Sequence, residues 1–328
     1  MQQLAVALSE RGHEVAFLTG LLGSGLMGIK ARTKFKLSRS TLYVREYDGF
    51  DVYRGWEIEN CVEEFSNAFN PNLALCFSGR PATVARAFKL NNIPSAIYFR
   101  NVEITDIGLD PISAANGFIA NSNFTAQFVK SKFSISATTI RPLVEKELYE
   151  TRPGGMATFI NPHRDKGRDI VFELVKRSPN IPFLIVYSWQ LSEQDRLDLQ
   201  KFAARYDNVT IIEATDDMKS VYGRTKILLA PSQWQEAWGR VATEAHFSGI
   251  PVMSSDAGGL PESVGPGGVI IPREGSIDQW EAALHKLWYD QSLYNYLSKE
   301  SLKFSRREEM KPSTIVEQLE RTFEAIQR

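Results

Sequence analysis

Two glutamates, Glu236 and Glu244, lie on either side of Gly239 in a segment that follows a short apolar run. The run, residues 226–231, is closed by proline and is typical of a buried parallel strand. A loop then leads into a helix near Gly239, and the first amides of such a helix can bind phosphate oxygens without a metal ion. A carboxylate beside a phosphate would repel it. Each glutamate is therefore expected to face a neutral, hydroxyl-rich group through charge-assisted hydrogen bonds.

Two simpler explanations compete for this pair. An acidic residue in the first turn of a helix is favoured by the helix dipole in any protein. A glycosidase also places two carboxylates on either side of a sugar. The surrounding residues disfavour both explanations because they match one transferase family at three further places, namely Pro231-Ser232, the turn Gly249-Ile-Pro251 and the segment Gly258-Gly-Leu-Pro-Glu262.

These residues resemble the E-x7-E signature of the retaining glycosyltransferases of family 4. The resemblance covers nearly all 328 residues and is most specific between residues 159 and 272. It implies an α/β protein with the GT-B fold, in which two Rossmann-like domains face a central cleft. It also implies that Glu236 binds the donor hexose and Glu244 the nucleotide ribose. The diphosphate and sugar would be bound around the helix start, at Ala237, Trp238, Gly239, Arg240 and Val241.

Basic residues for the diphosphate are expected in the segment Phe159-Ile-Asn-Pro-His-Arg-Asp-Lys166-Gly, which follows a predicted strand. It resembles the family segment in which a lysine before a glycine binds the diphosphate, which assigns that role to Lys166. The family commonly has an arginine directly after the strand, where this chain has Asn161-Pro162. Arg164 is the candidate substitute, and incidental charge at a solvated helix start is the alternative.

The first half contributes weaker candidates. Related enzymes often place a histidine after a strand of the first domain, facing the donor sugar, and this chain has Asn101 and Glu103 there instead. Both are acceptor-side candidates, and an ordinary loop is the alternative. The four histidines are scattered without metal spacing, so we expect no bound metal and no cofactor, the nucleotide sugar being a substrate.

A second motif, Gly23-Ser-Gly25-Leu-Met-Gly28, spells the dinucleotide fingerprint G-x-G-x-x-G. The strand before it is not the first of its sheet and the segment after it is basic and weakly patterned, so NAD binding is disfavoured. We interpret it as a loop on the acceptor side. Its basic character suits an anionic or membrane-linked acceptor, although a solvated face is the commoner meaning of such charges.

Composition bounds the class of protein. The 38 basic and 39 acidic residues nearly cancel, which disfavours a nucleic-acid partner. The two cysteines, Cys61 and Cys76, form neither a metal spacing nor a disulfide framework, which favours a reducing compartment. The chain has no apolar run of membrane-spanning length and no signal-peptide pattern. We therefore expect a cytoplasmic protein. Peripheral contact with a membrane that carries the acceptor is the alternative.

Strand-like and helix-like segments alternate, which indicates parallel sheets covered by helices. Strands are predicted at residues 14–19, 72–77, 95–99, 117–121 and 138–141, with a hairpin at 42–55. Further strands are predicted at residues 157–161, 183–187, 209–213, 227–230, 252–254 and 269–271. The Arg152-Pro-Gly-Gly155 segment places the domain boundary between residues 1–152 and 153–328. By resemblance, a tail helix at 313–328 crosses back to the first domain.

The chain begins at what looks like the first helix of such a domain, so we expect its first strand and glycine-rich loop to be missing. Three explanations would account for the missing strand and loop: a wrongly chosen start codon, a trimmed chain or a degenerate gene. From the resemblance we expect a retaining, metal-independent glycosyltransferase that moves a hexose from a UDP-, GDP- or ADP-sugar to a hydroxyl of a glycan or other acceptor. A catalytically silent nucleotide-sugar-binding protein is the main alternative, and a sugar-nucleotide epimerase is a weaker one.

Overall fold

The computed structural model describes residues 1–21, 33, 35, 40–187 and 191–327. The chain divides into two compact units. Unit 1 consists of Met1–Asn121, Thr125–Arg141 and Ser313–Arg328, and unit 2 of Ser122–Phe124 and Pro142–Pro312. Among the described helices, none is long and apolar enough to cross a membrane.

The strands of the described residues, in chain order, are β1 Ala16–Gly20, β2 Tyr43–Tyr47, β3 Phe50–Gly55, β4 Ala74–Cys76, β5 Ser95–Phe99, β6 Gly117–Ala120, β7 Thr138–Thr139, β8 Met156–Ile160, β9 Phe183–Val186, β10 Val209–Ile212, β11 Thr225–Ala230, β12 Val252–Ser255 and β13 Gly268–Ile271. The strands predicted from apolar runs are confirmed, with ends that differ by up to two residues. The predicted hairpin is β2 and β3, and both turn residues, Asp48 and Gly49, have the left-handed backbone of a tight two-residue turn.

The α-helices of the described residues are α1 Gln2–Glu10, α2 Ile58–Phe69, α3 Pro81–Leu90, α4 Ile104–Ile107, α5 Pro111–Ala114, α6 Asn123–Phe133, α7 Arg168–Arg177, α8 Glu193–Ala203, α9 Met218–Tyr222, α10 Arg240–His246, α11 Leu260–Val264, α12 Ile277–Tyr289, α13 Gln291–Ser305 and α14 Pro312–Gln327. Short 3-10 helices lie at Lys146–Leu148, Arg164–Lys166, Gly265–Gly267 and Glu308–Met310. Their ends follow local chemistry. Ser276 and Gln279, for example, form a capping box that starts α12.

Unit 1 contains two sheets rather than the single Rossmann-like sheet that the resemblance implies. One has the order β1-β3-β2 and the other β4-β5-β6-β7. Among the described residues, no strand lies between β1 and β4 to join the two sheets by hydrogen bonds. A single apolar cluster nevertheless joins them, since Val62 and Phe65 on α2 belong to the same core as Tyr53 on β3 and Ile97 on β5.

Unit 2 is a doubly wound domain. Its sheet is entirely parallel and has the order β10-β9-β8-β11-β12-β13. The order reverses between β8 and β11, so the loops at the carboxyl ends of these two strands leave in opposite directions and open a crevice, where such folds bind ligands. The strands read as continuous apolar runs because helices cover both faces, and β9 is buried along its whole length.

The division between the units corrects the predicted boundary at 152/153. It falls between Arg141 and Pro142, so residues 142–152 belong to unit 2. Tyr149 is buried in the same cluster as Tyr222. A Cβ on Gly154 would lie 2.3 Å from the backbone carbon of Arg224. Gly154 thus marks a close approach of two backbones rather than a linker.

Candidate functional site

The candidate site of unit 2 begins where β8 and β11 end. The loop after β8 carries Asn161 in the left-handed region, at φ 64°, and then the 3-10 helix Arg164–Lys166. Gly167 follows with φ 86°, and a Cβ there would lie 2.1 Å from the carbonyl oxygen of Pro231. Only glycine therefore lets this loop touch the end of β11.

Backbone hydrogen bonds fix the two loops to each other. The carbonyl oxygen of Asp165 accepts from the amides of Gln233 at 2.8 Å and Trp234 at 3.0 Å. Behind them, the hydroxyl of Ser255 on β12 donates to the carbonyl oxygen of Ser232 at 2.6 Å. Loops anchored in this way hold functional side chains in place on a rigid scaffold.

Lys166 and Glu236, which are 70 residues apart, meet across these loops. The ammonium nitrogen lies 2.5 Å from a carboxylate oxygen of Glu236, and the two side chains are 30% and 19% exposed. A cation and a carboxylate that are paired but still reachable from solvent can separate to take the phosphate and the hydroxyl of a ligand. The sequence prediction placed both residues at one site, and the structure brings them together.

Glycines hold the segment that carries Glu236 from the other side. A Cβ on Gly258 would lie 2.3 Å from the carbonyl oxygen of Glu236, and one on Gly259 would lie 2.5 Å from that of Ala237. The amide of Gly259 donates to the carbonyl oxygen of Glu236 at 2.6 Å. Gly239 has φ 88° and packs against Leu260, directly before α10. The backbone around residues 236–239 is therefore tightly determined.

Glu244 lies in a buried polar network. One carboxylate oxygen accepts from Nε of Arg240 and the other from the hydroxyl of Tyr222, each at 2.8 Å. A second nitrogen of Arg240 donates to the hydroxyl of Tyr149 at 2.7 Å. The Glu244 side chain is only 8% exposed. A carboxylate has about four acceptor positions, so these bonds still leave room for ligand hydroxyls.

Burial raises the pKa of the Glu244 carboxyl above its usual value, while Arg240 and Tyr222 act in the opposite direction. Burial and the neighbouring Glu244 both raise the pKa of the Tyr222 phenol. The phenol therefore stays protonated and donates its hydrogen bond to the carboxylate.

The remaining predicted residues differ in surroundings. Ala237 and Trp238 are buried, whereas Gly239, Arg240 and Val241 are partly exposed at the start of α10. Arg164 is exposed. In unit 1, the Asn101 amide donates to Asp106 at 3.1 Å, and Glu103 precedes α4. The motif at residues 23–28 lies outside the described residues.

Sequence reasoning missed Tyr149 and Tyr222. Tyr149 was assigned to the end of the first domain, and Tyr222 precedes a strand in a segment without a recognisable motif. The contact of Tyr149 with Arg240 arises from the packing of residues 142–152 within unit 2, whereas Tyr222, at the end of α9, donates to Glu244 on α10. No group of residues in the described part of the chain has the composition and geometry of a metal site.

Most of unit 2 is similar to a known protein family. Residues 162–304 match the family model for glycosyl transferases group 1. A D-inositol 3-phosphate glycosyltransferase from Corynebacterium kroppenstedtii is 39% identical over 77 residues, which are 23% of this chain and 17% of the relative. Another from Streptomyces bingchenggensis is 33% identical over 106 residues, covering 30% of this chain and 23% of the relative. The chain thus spans less than a quarter of these two relatives.

Solved structures resemble the whole chain. Anabaena HepE in complex with UDP-glucose has a TM-score of 0.77 at 15% identity, over 99% of this chain and 94% of that one. Sucrose-phosphate synthase from Thermosynechococcus elongatus has a TM-score of 0.73 at 14% identity, over 98% of this chain and 91% of that one. These similarities confirm the expected fold, which is GT-B.

Proposed function

We propose that the protein is a retaining glycosyltransferase that uses a nucleotide diphosphate sugar. The proposal is supported by the match of residues 162–304 to the family model for glycosyl transferases group 1 and by the GT-B fold. The observation that carries the proposal is the Lys166–Glu236 pair. It lies where the strand order of unit 2 reverses, the position at which open parallel sheets bind ligands.

The reaction needs stabilisation of the diphosphate as the bond to the sugar breaks. Lys166 supplies a cation and the amides at residues 238–241 supply dipoles, with Arg164 as a further cation on the same loop as Lys166. Preorganised donors of this kind contribute about 3 to 4 kcal/mol each to the transition state. When Lys166 leaves Glu236 to bind the phosphate, the Glu236 carboxylate accepts hydrogen bonds from hexose hydroxyls. These bonds orient the sugar.

The nucleotide is assigned to the side of the site where Glu244 lies. A ribose diol would bond to the acceptor positions that Arg240 and Tyr222 leave on the carboxylate. The structurally similar HepE was solved with UDP-glucose, which makes UDP the first nucleotide to test, ahead of GDP and ADP. Asn101 and Glu103 are assigned to the acceptor side, and attack with retention requires no metal in this proposal.

A thermal-shift panel of UDP, GDP, ADP and their common sugars tests the donor site. A ligand that binds only the folded protein raises its stability, so one nucleotide is expected to raise the melting temperature. Lys166→Met should abolish this shift. Lys176→Met, which removes an exposed lysine of α7, is the matched control and should keep it. If no nucleotide stabilises the wild-type chain, the donor-site proposal is wrong.

Turnover separates a transferase from a silent binding protein. With the stabilising nucleotide sugar, Glu236→Gln should lower the rate of sugar release or transfer about a hundredfold while nucleotide binding persists. Proton NMR of the first product should show the anomeric configuration of the donor, and EDTA should leave the rate unchanged. Binding without turnover under all these conditions would favour the silent protein.

A further inference from the structure

Unit 1 has a cavity of about 230 Å³ at the carboxyl ends of β4 and β5. Its wall includes Ser78, which follows β4, and Arg100 and Asn101, which follow β5. The aromatic residues Tyr98 and Phe99 complete this side. At about 30 Å³ per water molecule, the cavity has room for one small polar ligand rather than for a chain of several sugars.

The walls of the cavity are held by specific contacts. Ser78, Gly79 and Arg80 have three consecutive left-handed backbones, with φ of 58°, 57° and 60°. The Arg80 amide donates to the carbonyl oxygen of Asp106 at 2.7 Å. The Asp106 carboxylate accepts from the Asn101 side chain at 3.1 Å. The loops after β4 and β5 are thus tied together through one residue.

Arg100 gives the cavity its charge. Its guanidinium carbon lies 5.7 Å from the centre of the Phe77 ring and 5.9 Å from that of Tyr98, within the range of cation–π attraction. Two aromatic rings thereby restrict the position of the guanidinium group. Its planar set of N–H donors matches the oxygens of a phosphate or a carboxylate.

A second polar group lies at the same edge of the sheet. Asn121 follows β6, and its backbone N–H donates to the carbonyl oxygen of Phe99 at 3.1 Å. The residue is 4% exposed, and within the described part of the chain no group donates to its side-chain oxygen. Buried acceptors are normally satisfied, so a hydroxyl or a water molecule at this edge would complete its bonding.

We propose that this cavity binds the acceptor, and that the acceptor carries a phosphate or carboxylate group that pairs with Arg100. The assignment of the ligand as acceptor rests on the proposed glycosyltransferase function. The anionic group can belong to a soluble sugar or to a lipid headgroup, because both present the same oxygens to Arg100.

The test uses the full chain saturated with UDP, so that the donor site is filled. Glucose 6-phosphate and glucose are titrated by calorimetry, and vesicles of phosphatidylinositol and phosphatidylcholine are compared by sedimentation. Either glucose 6-phosphate or phosphatidylinositol should bind at least about tenfold more tightly than its uncharged or zwitterionic partner. The first result identifies a soluble acceptor and the second a lipid headgroup.

Variants make the assignment specific. Arg100→Met should remove the preference for the anionic probe, and Arg100→Lys should keep part of it. Arg45→Met, which removes an exposed arginine from β2, should leave it unchanged. Equal binding of charged and uncharged probes, no binding of any probe, or an anionic preference that survives in Arg100→Met would overturn the proposal. Stabilisation by UDP in the same variants reports separately on the donor site.

Discussion

At the scale of single residues, the Arg240–Glu244 pair sets the charge of the proposed nucleotide site. Burial favours the protonated form of Glu244, and the hydrogen bonds from Arg240 and Tyr222 favour the carboxylate. Only the carboxylate can accept both hydroxyls of a ribose diol. Arg240 therefore keeps Glu244 in the form that nucleotide binding requires under the proposed function.

Arg240→Leu tests this dependence. Without the guanidinium, the pKa of Glu244 should rise further, and UDP affinity should fall more steeply as the pH is lowered from 8 to 6 than it does in the wild type. Calorimetric titration with UDP at several pH values measures the effect. Arg177→Leu removes an arginine that pairs with Asp278 and Glu281 at the surface and serves as the control. A loss of affinity that is the same at every pH would indicate a purely structural role for Arg240.

At the scale of elements, the glycines at 258 and 259 fix the backbone that carries Glu236. Gly259→Ala should destabilise the protein by about 1 to 3 kcal/mol, because its Cβ would lie 2.5 Å from the Ala237 carbonyl oxygen. It should also weaken nucleotide binding by displacing residues 236–239. Gly155→Ala is the control, since no atom lies within 4 Å of its added Cβ. Urea unfolding and UDP titration of both variants measure the two effects, and equal stability would contradict the close contact.

The packing of α10 against α13 buries a histidine, which leads to a prediction about stability and pH. His246 is 1% exposed, and burial lowers the pKa of its ring from 6.5 to about 3, with Arg307 adding to the effect. The folded state thus holds the neutral ring, whereas the unfolded chain takes up a proton below pH 6.5. The resulting stability is present above pH 6.5 and is lost as the pH falls towards 3.

Measured as the free energy of unfolding, this loss should reach about 4 kcal/mol, at about 1.4 kcal/mol per pH unit. His246→Phe should reduce the slope of stability against pH between 6.5 and 4. His285→Asn, which changes a histidine that bonds to Ser178, should not. Denaturant unfolding across this pH range gives both slopes, and equal slopes in His246→Phe and the wild type would be inconsistent with a buried neutral ring.

Sequence reasoning succeeded where the signal is local or linear. The apolar runs at 183–187 and 227–230 predict strands because a strand buried on both faces has no polar positions. The Asp48-Gly49 turn is readable because few other residue pairs adopt its backbone. Lys166 and Glu236 were identified by family resemblance. The Tyr149 contact was not predictable, because it depends on which unit residues 142–152 pack against, and no motif marks Tyr222 as a partner of Glu244.

At the scale of the whole molecule, the chain returns to unit 1 at its end. Residues Ser313–Arg328 are grouped with that unit, and Arg11 forms an ion pair with Glu320 of α14 at 2.7 Å. A Cβ on Gly117 would lie 2.3 Å from the Ile326 side chain, so the tail packs closely on β6. Unit 1 is therefore completed by residues that are about 170 positions along the chain from the rest of it.

Leu319→Ala measures what the tail contributes. Leu319 is fully buried, so the truncation should destabilise the protein by about 2 to 5 kcal/mol. Glu320→Gln weakens a partly exposed ion pair next to it, and the expected cost is below about 1 kcal/mol. Chemical denaturation gives both values. Because the proposed nucleotide site lies wholly in unit 2, UDP should still stabilise folded Leu319→Ala. A small effect of Leu319→Ala, similar to that of Glu320→Gln, would show that ion pairing rather than apolar packing attaches the tail.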